Sequence, residues 1–478
     1  MNASRIPSNH ILWILFVLGL GVRLVGINAP PMGMHGWRQA DTAAMARNFH
    51  ENGYDFLHPQ VDWGGAGPGT VESEFPAYSY SAALMYGAFG VREWLGRLLS
   101  ALGFVLGAWA LFALVRDTID RDTALWSTGF FLFLPLGIFY GRAFMPDSWM
   151  LAASIAGIYF FHRWTNGERP RDLALSAAFV AFAALLKLPA LYLGLPVAYL
   201  AWRRFGAGFM RRPALWLYAL AVMVPVGLWY HHAHQIHRAG GLTFGIWEYG
   251  SDKWGNWSLV ASPGFWNGVL FKSLAERWFT WAGFAVLAVG VLLPRRSSAE
   301  RLFDWWGLAL LVYLVIVARG NYVHEYYQLP FLAPGAVYLG KVFARFWRPR
   351  ERRRTALLLS TALAAMLALG ILRVVSYLSK EDPSRAAEAI VAAEVRQRTE
   401  PDALILTTNG GSPVLLYLSH RKGWALPESA LGTAALDAKR REGARYAAGV
   451  GRVPAPLGSD DPGRVLYRSP KGYLIRLD

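Results

Sequence analysis

The chain of 478 residues is 54% hydrophobic and only 17% charged, with a mean hydropathy of +0.26. Ordinary soluble domains run at about 25% charged residues, so this balance excludes one and points to a chain built largely of membrane spans. A cysteine count of 0 excludes disulfides and thiolate metal sites, and the net charge of +16 sits mostly in short loops between apolar runs, which argues against a nucleic-acid surface.

The first apolar run, Ile11 to Val25, follows Arg5 and is itself followed by Pro30 and Pro31, with no small-residue cleavage site. It reads as a retained first transmembrane helix. Further runs of spanning length fall near 93–115, 122–141, 147–163, 172–187, 189–202, 213–231, 278–294, 303–318, 327–344 and 355–378, about eleven in all. Those at 172–187 and 189–202 are short and meet at Lys187-Leu188-Pro189. Residues 77–91 are apolar but too short to cross, and fit a re-entrant or interfacial helix. Arg116 and Arg121, then Arg163, Arg169 and Arg171, then Arg203, Arg204, Arg211 and Arg212, then Arg295, Arg296 and Arg301, and finally residues 345–354 all fall on one side of this arrangement, with Arg5. That side is cytoplasmic by the positive-inside rule. The 28–92 loop, the 141–147 turn, the 232–277 loop with Trp247, Tyr249, Trp254, Trp257 and Trp266, the 319–326 turn and everything after 379 are then outside. From 380 to 478 the pattern changes to alternating helices and short strands (ALILTT, RYAAGV, GRVLYRSPKGYLIRLD), the mark of a small α/β domain. The expected molecule is an α-helical polytopic membrane protein over 1–379 with an extracytoplasmic α/β domain over 380–478.

The chemistry-bearing residues gather on the outer side. Asp41, in HGWRQADTAAMARNF, is either a general base or a helix cap. Trp37, Arg38 and Gln39 beside it, and Glu72 and Glu74 downstream, make the 28–76 stretch polar and aromatic, as a binding wall is. Arg142 and Asp147 in GRAFMPDSWM fit a phosphate grip, a mutual ion pair or an interfacial anchor. Lys187 lies inside an apolar run, where a charge is functional unless it snorkels to the surface. His324, Glu325, Tyr326 and Tyr327 follow Arg319 in a turn that lacks the second His of a zinc-protease motif. His231 and His234 share a helical face but have no carboxylate at ligand spacing, so no metal site is named. No resident cofactor is implied, with a divalent cation left as an open alternative.

The segments HGWRQADTAAMARNF, ESEFPAY, FYGRAFMPDSWM, LLKLPALYL and HEYYQLPFLAP, in this order, resemble the bacterial type C glycosyltransferases related to protein O-mannosyltransferases and the lipid A aminoarabinose transferase (glycosyltransferase family 39-like). The resemblance spans roughly residues 10–380, and the terminal α/β domain corresponds to an accessory outer domain of some members. It implies the type C glycosyltransferase fold and transfer of a sugar, with inversion, from a polyprenyl-phosphate donor to a lipid, glycan or protein acceptor. The reaction takes place on the outer face of the cytoplasmic membrane. Asp41 matches the catalytic carboxylate of the first loop, although Thr42 follows it where relatives often have a second acid. Asp147 and Arg142 match an R-x-x-x-P-D pattern; Glu74 and Pro76 stand where relatives often carry Pro-Pro. Lys187 and His324 match positions near the lipid phosphate. The implied site has Asp41 and Asp147 as catalytic residues and Arg142, Lys187 and His324 on the donor phosphate. Trp37, Arg38, Gln39, Glu74, Glu325 and Tyr327 bind substrate. The competing reading is a polytopic transporter or flippase of a lipid-linked glycan, to which broken helices around Lys187 would also be suited.

Overall fold

Apolar runs of this length can satisfy their backbone in lipid only as helices. The computed structural model, which describes residues 8–246, 254–347, 351–458 and 463–477, places a helix at each of them. Arg5, Trp247, Tyr249 and residues 348–350 lie outside the described residues. In chain order the main helices are α1 (Ser8–Leu24), α2 (Gly36–Glu51), α3 (Ala77–Phe89), α4 (Glu93–Thr118), α5 (Arg121–Phe133), α6 (Pro135–Tyr140) and α7 (Asp147–Gly167). Then come α8 (Pro170–Leu186), α9 (Gly194–Phe205), α10 (Pro213–Gly240), α11 (Thr280–Leu292), α12 (Leu302–Ile316), α13 (Leu332–Phe346) and α14 (Arg353–Leu378).

The expected count of about eleven spans does not emerge as eleven uninterrupted helices. Among the described residues, three helices are individually long and apolar enough to cross a membrane: Glu93–Thr118, Pro213–Gly240 and Arg353–Glu381. A fourth is counted if Pro263–Trp278 and Thr280–Leu292, which meet at 108°, are one broken span. Breaks explain much of the shortfall. Pro135 separates α5 from α6, because proline has no N–H to continue the ladder and crowds the turn before it. Arg23 on α1 covers the break: its guanidinium donates to the carbonyls of Leu132 at 3.0 Å and Gly137 at 2.9 Å. Likewise α8 ends at Leu186, Lys187 is extended, and a 3₁₀ turn (Leu188–Leu193) holding Pro189 leads into α9. Residues 267–278 form a π-helical stretch before the corner at Thr280, where the sequence suggested a span starting at 278.

Helix α7 packs on both α4 and α8, and α5 packs on α4 and α13. Small residues permit the close approach: a Cβ at Gly103 of α4 would lie 2.4 Å from the Trp149 ring of α7. Helix α3, the short apolar segment, packs on α2 and α4 and buries Tyr78, Ala82, Ala83 and Tyr86.

The C-terminal elements are α15 (Ala387–Arg398), β1 (Leu404–Thr408), α16 (Val414–Ser419), β2 (Gly423–Ala425), α17 (Thr433–Arg441), β3 (Ala444–Val450), β4 (Val465–Ser469) and β5 (Gly472–Arg476). The sheet order is β2-β1-β3-β5-β4. Strand β1 runs parallel to β2 and β3, whereas β5 is antiparallel to β3 and β4. Alternation along the strands sorts side chains to two faces. Ile405, Ala448 and Leu474 meet Val391 of α15 and Leu415 of α16, while Leu406, Ala447 and Ile475 meet Leu436 of α17.

A buried ion cluster ties the end of α14 to the loop that follows α1. Arg97 of α4 and Arg142 of the 141–147 turn reach one carboxylate, Glu381, at 3.2 and 2.8 Å, and all three are at most 1% exposed. Arg97 also donates to the Pro30 carbonyl at 3.1 Å and Arg142 to that of Gly26 at 2.8 Å. Removing one partner of a buried cluster leaves uncompensated charge at a cost of about 3–5 kcal/mol. Glu381→Gln is therefore expected to lower the melting temperature of the detergent-purified protein, and an unchanged melting curve would show that the cluster does not hold the fold.

Candidate active site

Helix α2 contains no apolar stripe, yet Gly36, Arg38 to Phe49 are buried along it. A polar helix stays buried only if its side chains find partners. Arg38 pairs with Glu74 at 2.6 Å. Gln39 accepts from the Phe144 N–H at 3.1 Å, and Thr42 donates to the Arg38 carbonyl at 2.8 Å. Arg47 and Asn48 converge on Asp62, at 2.5 and 3.0 Å.

Asp41 does not cap this helix. The N-cap position is His35, in a left-handed conformation with φ 48°. Asp41 lies further along α2, 3% exposed, and its Oδ1 accepts from Trp63 Nε1 at 2.9 Å. Burial pushes the carboxyl up to about 7, against the pull of the Trp63 hydrogen bond and the Arg38 charge toward the ionised form. A carboxylate held near neutrality is suited to take a proton from a hydroxyl.

A second group lies around the break between α8 and α9. Lys187 pairs with Asp147, the first residue of α7, at 2.8 Å. Its ammonium stands 4.6 and 4.7 Å from the ring centres of Tyr326 and Tyr327, within cation–π range. These residues line a cavity together with Glu74 and Tyr230. The Arg38–Glu74 pair thus joins the cavity to α2, with Asp41 one helical turn from Arg38.

Above Lys187 in sequence, the 319–326 turn supplies an aromatic cluster. The His324 ring lies 5.3 Å from His35, 5.5 Å from Trp37 and 5.5 Å from Tyr326. Glu325 accepts from Arg277 at 2.6 Å, Tyr140 at 3.1 Å and Tyr377 at 2.9 Å. The Tyr327 carbonyl accepts from Tyr313 at 2.9 Å.

Arg142 is a correction. It matched the donor-phosphate set, but its guanidinium serves Glu381 and the Gly26 carbonyl, and it does not line the Lys187 cavity. The suggested Arg142–Asp147 pair is likewise replaced, since Asp147 meets Lys187 instead. Glu72 sits apart from Glu74 and accepts from the Thr243 hydroxyl. His232 donates to the Leu57 carbonyl at 2.9 Å, and among the described residues no group of three or more His, Asp or Glu could hold a metal ion. Trp63, His35 and Arg277 contact Asp41, His324 and Glu325 respectively and were not singled out from the sequence. Trp63 carried a signal, as an aromatic inside the glycine-rich VDWGGAG; Arg277 lay in a run taken for the start of a span.

Residues 73–230 match the family model described as dolichyl-phosphate-mannose-protein mannosyltransferase. That segment contains Glu74, Asp147 and Lys187 but neither Asp41 nor His324. The whole chain superposes on ArnT from Cupriavidus metallidurans bound to undecaprenyl phosphate, with a TM-score of 0.69 and 14% identity over 98% of each chain. The chain shares the fold of this membrane protein. A second solved structure, the archaeal oligosaccharyltransferase AglB from Archaeoglobus fulgidus in complex with an inhibitory peptide and a dolichol-phosphate, aligns at 13% identity with a TM-score of 0.59. That alignment covers 93% of this chain and 69% of the other. A search of curated proteins finds no match. In this chain the start of α7 and the α8–α9 break meet at the Asp147–Lys187 pair, and the Arg38–Glu74 pair joins their cavity to α2.

The Asp41 environment has a signed consequence. A carboxyl raised to about 7 binds a proton in the fold that the unfolded chain has already lost. Its contribution therefore weakens the fold as pH rises from about 4 to about 7. Asp41→Asn is expected to flatten that part of the stability profile, read as melting temperature against pH; a profile identical to wild type would place the titration elsewhere.

Proposed function

We propose that the chain moves a sugar from a polyprenyl-phosphate carrier to an acceptor hydroxyl on the extracytoplasmic face of the cytoplasmic membrane, inverting the anomeric carbon. The observation that carries this reading is the joined pair of groups. A buried carboxylate on α2 is tied through Arg38 and Glu74 to a cavity that holds a lysine. The lipids in the two superposed structures, undecaprenyl phosphate with ArnT and dolichol-phosphate with AglB, support a lipid-phosphate carrier.

In this reading Asp41 takes the proton of the acceptor hydroxyl, whose oxygen attacks the anomeric carbon. The bond from that carbon to the phosphate oxygen breaks, and polyprenyl phosphate departs. Charge grows on the leaving phosphate, where Lys187 and His324 stand to receive it. Asp147 holds Lys187 in place. Glu74 and Tyr327 line the cavity and contact the sugar, while Trp37 flanks His324. Arg38 and Gln39 fix α2, and Glu325 fixes the turn behind His324. No resident cofactor enters this scheme. The acceptor is a lipid, glycan or protein. The cavity serves the reaction without an alternating path across the bilayer, which the transporter reading would require.

The test is transfer of radiolabelled sugar from polyprenyl-phosphate donors in purified membranes. Loss of a general base typically costs about 10²–10⁴ in rate, so Asp41→Asn is expected to fall by that order while donor binding is kept. Equal rates would remove Asp41 from the chemistry. The rate should also rise with pH through about 7, since the base acts only when ionised. Lys187→Met is expected to weaken binding of polyprenyl phosphate by about tenfold or more, the worth of one charge-assisted contact. Unchanged lipid-phosphate affinity would take Lys187 out of the phosphate site.

A further inference from the structure

The α/β unit at the C-terminus has so far no task. Its sheet ends at β2, and the outer edge of a terminal strand offers unpaired backbone groups. Here that edge is occupied by the tip of the first external loop. Residues 59–71 fold back on themselves: Gln60 bridges Thr70, the Val61 N–H donates to the Gly69 carbonyl at 2.9 Å, and the Val71 N–H donates to that of Pro59 at 2.9 Å. At the tip, the Gly423 N–H of β2 donates to the Asp62 carbonyl at 3.0 Å, and the Gly65 N–H donates to the Gly423 carbonyl at 2.7 Å. Only glycine fits at 65: φ is +70°, and a Cβ would lie 2.6 Å from Trp424 Nε1.

Trp63 lies between these two hydrogen bonds. Its ring packs on the core that Leu415, Leu416 and Val391 form beneath the sheet, and also on the loop core of Met45, Val61 and Val71. Its Nε1 meets Asp41 Oδ1 at 2.9 Å. On the other side of the tip, the Asp62 carboxylate is held to α2 by Arg47 and Asn48. The loop tip is thus fastened to the catalytic helix by side chains and to the outer domain by its backbone.

We propose that Trp63 is a positioning residue for Asp41, and that the β2 edge of the C-terminal sheet holds it there, so that this unit braces the carboxylate. The proposal rests on the reading of Asp41 as the base. One N–H on Oδ1 fixes the rotamer of the carboxylate and favours its ionised form, leaving Oδ2 to receive the proton. The other charged groups facing Asp41 are Arg38, from its own helix, and Asp62, from the loop tip and itself bonded to Arg47.

The test reads Asp41 directly. The full chain, in nanodiscs and labelled with carboxyl-isotope aspartate, is titrated by infrared spectroscopy, and the Asp41 band is assigned by its loss in Asp41→Asn. Trp63→Phe keeps an aromatic ring and removes the donor. The Asp41 midpoint is expected to move up by about one pH unit, the worth of a charge-assisted hydrogen bond. Benzothienylalanine at position 63, which retains the shape of indole without the N–H, should give the same shift even if the Phe variant folds poorly. Gly65→Ala, which pushes the tip off Trp424 and touches neither Asp41 nor Trp63, should move the midpoint in the same direction. A midpoint unmoved by both changes at 63 overturns the positioning role; one that moves with them but not with Gly65→Ala overturns the role of the sheet edge. If Asp41→Asn keeps the transfer rate, the base assignment fails while these titrations still decide the brace.

Discussion

The structure depends on keeping a polar helix out of water. Helix α2 buries a run of polar side chains with almost no apolar face to stabilise it. Each uncompensated group would cost on the order of 1–3 kcal/mol, more where charged. The partners come from three separate places: Glu74 and Asp62 from the segment between α2 and α3, the Phe144 backbone from the turn before α7, and the Tyr417 carbonyl from the C-terminal α/β unit. Everything that touches α2 is therefore held in register with everything else that touches it. A site made of residues from distant segments needs such a hub, because catalytic geometry tolerates errors of only about 0.5 Å.

The Glu381 cluster performs the same task at the membrane boundary. Two guanidiniums share one carboxylate where the last span ends, and each also takes a carbonyl from the loop that begins at residue 26. The loop after α1 and the end of α14 are thereby joined. The C-terminal α/β unit starts from a fixed point and returns to the 59–71 segment through β2. This explains how a unit so far along the chain reaches a tryptophan near its beginning.

Much of the membrane fold was legible because its cause is simple. A run of apolar residues in lipid has helix as its one open-ended solution, and helices occur at each expected run. The number of crossings was not legible. Proline breaks at 135 and 189 and the corner at Thr280 divide runs that composition alone treats as continuous. The strands of the C-terminal sheet were visible through alternation, but not their order, which depends on pairing between segments up to about 40 residues apart. For the candidate site, Asp41, Asp147 and Lys187 stood out in the sequence because a carboxylate in a polar loop and a charge in an apolar run are each anomalous locally. Their partners were not found. The Trp63–Asp41 bond joins a helix to an irregular loop 22 positions away. Arg142 misled for the converse reason: its nearness in sequence to Asp147 suggested a pair, while the acid that takes it lies 239 residues on.

The two buried acids show how position alone separates chemical roles. Asp147 and Asp41 are both almost fully buried, at 1% and 3% exposed. Asp147 faces a lysine at 2.8 Å, so its charge is matched and its oxygen is committed. Asp41 faces a neutral indole N–H, which orients the carboxylate without cancelling its charge, and the cation that acts on it, Arg38, is bound to Glu74. An acid matched by a cation is a poor base, because protonating it would strand the cation. An acid held by a neutral donor keeps its charge available for a proton. On the proposed reading, this asymmetry favours proton transfer at the α2 carboxylate and leaves the α7 carboxylate to aim a lysine.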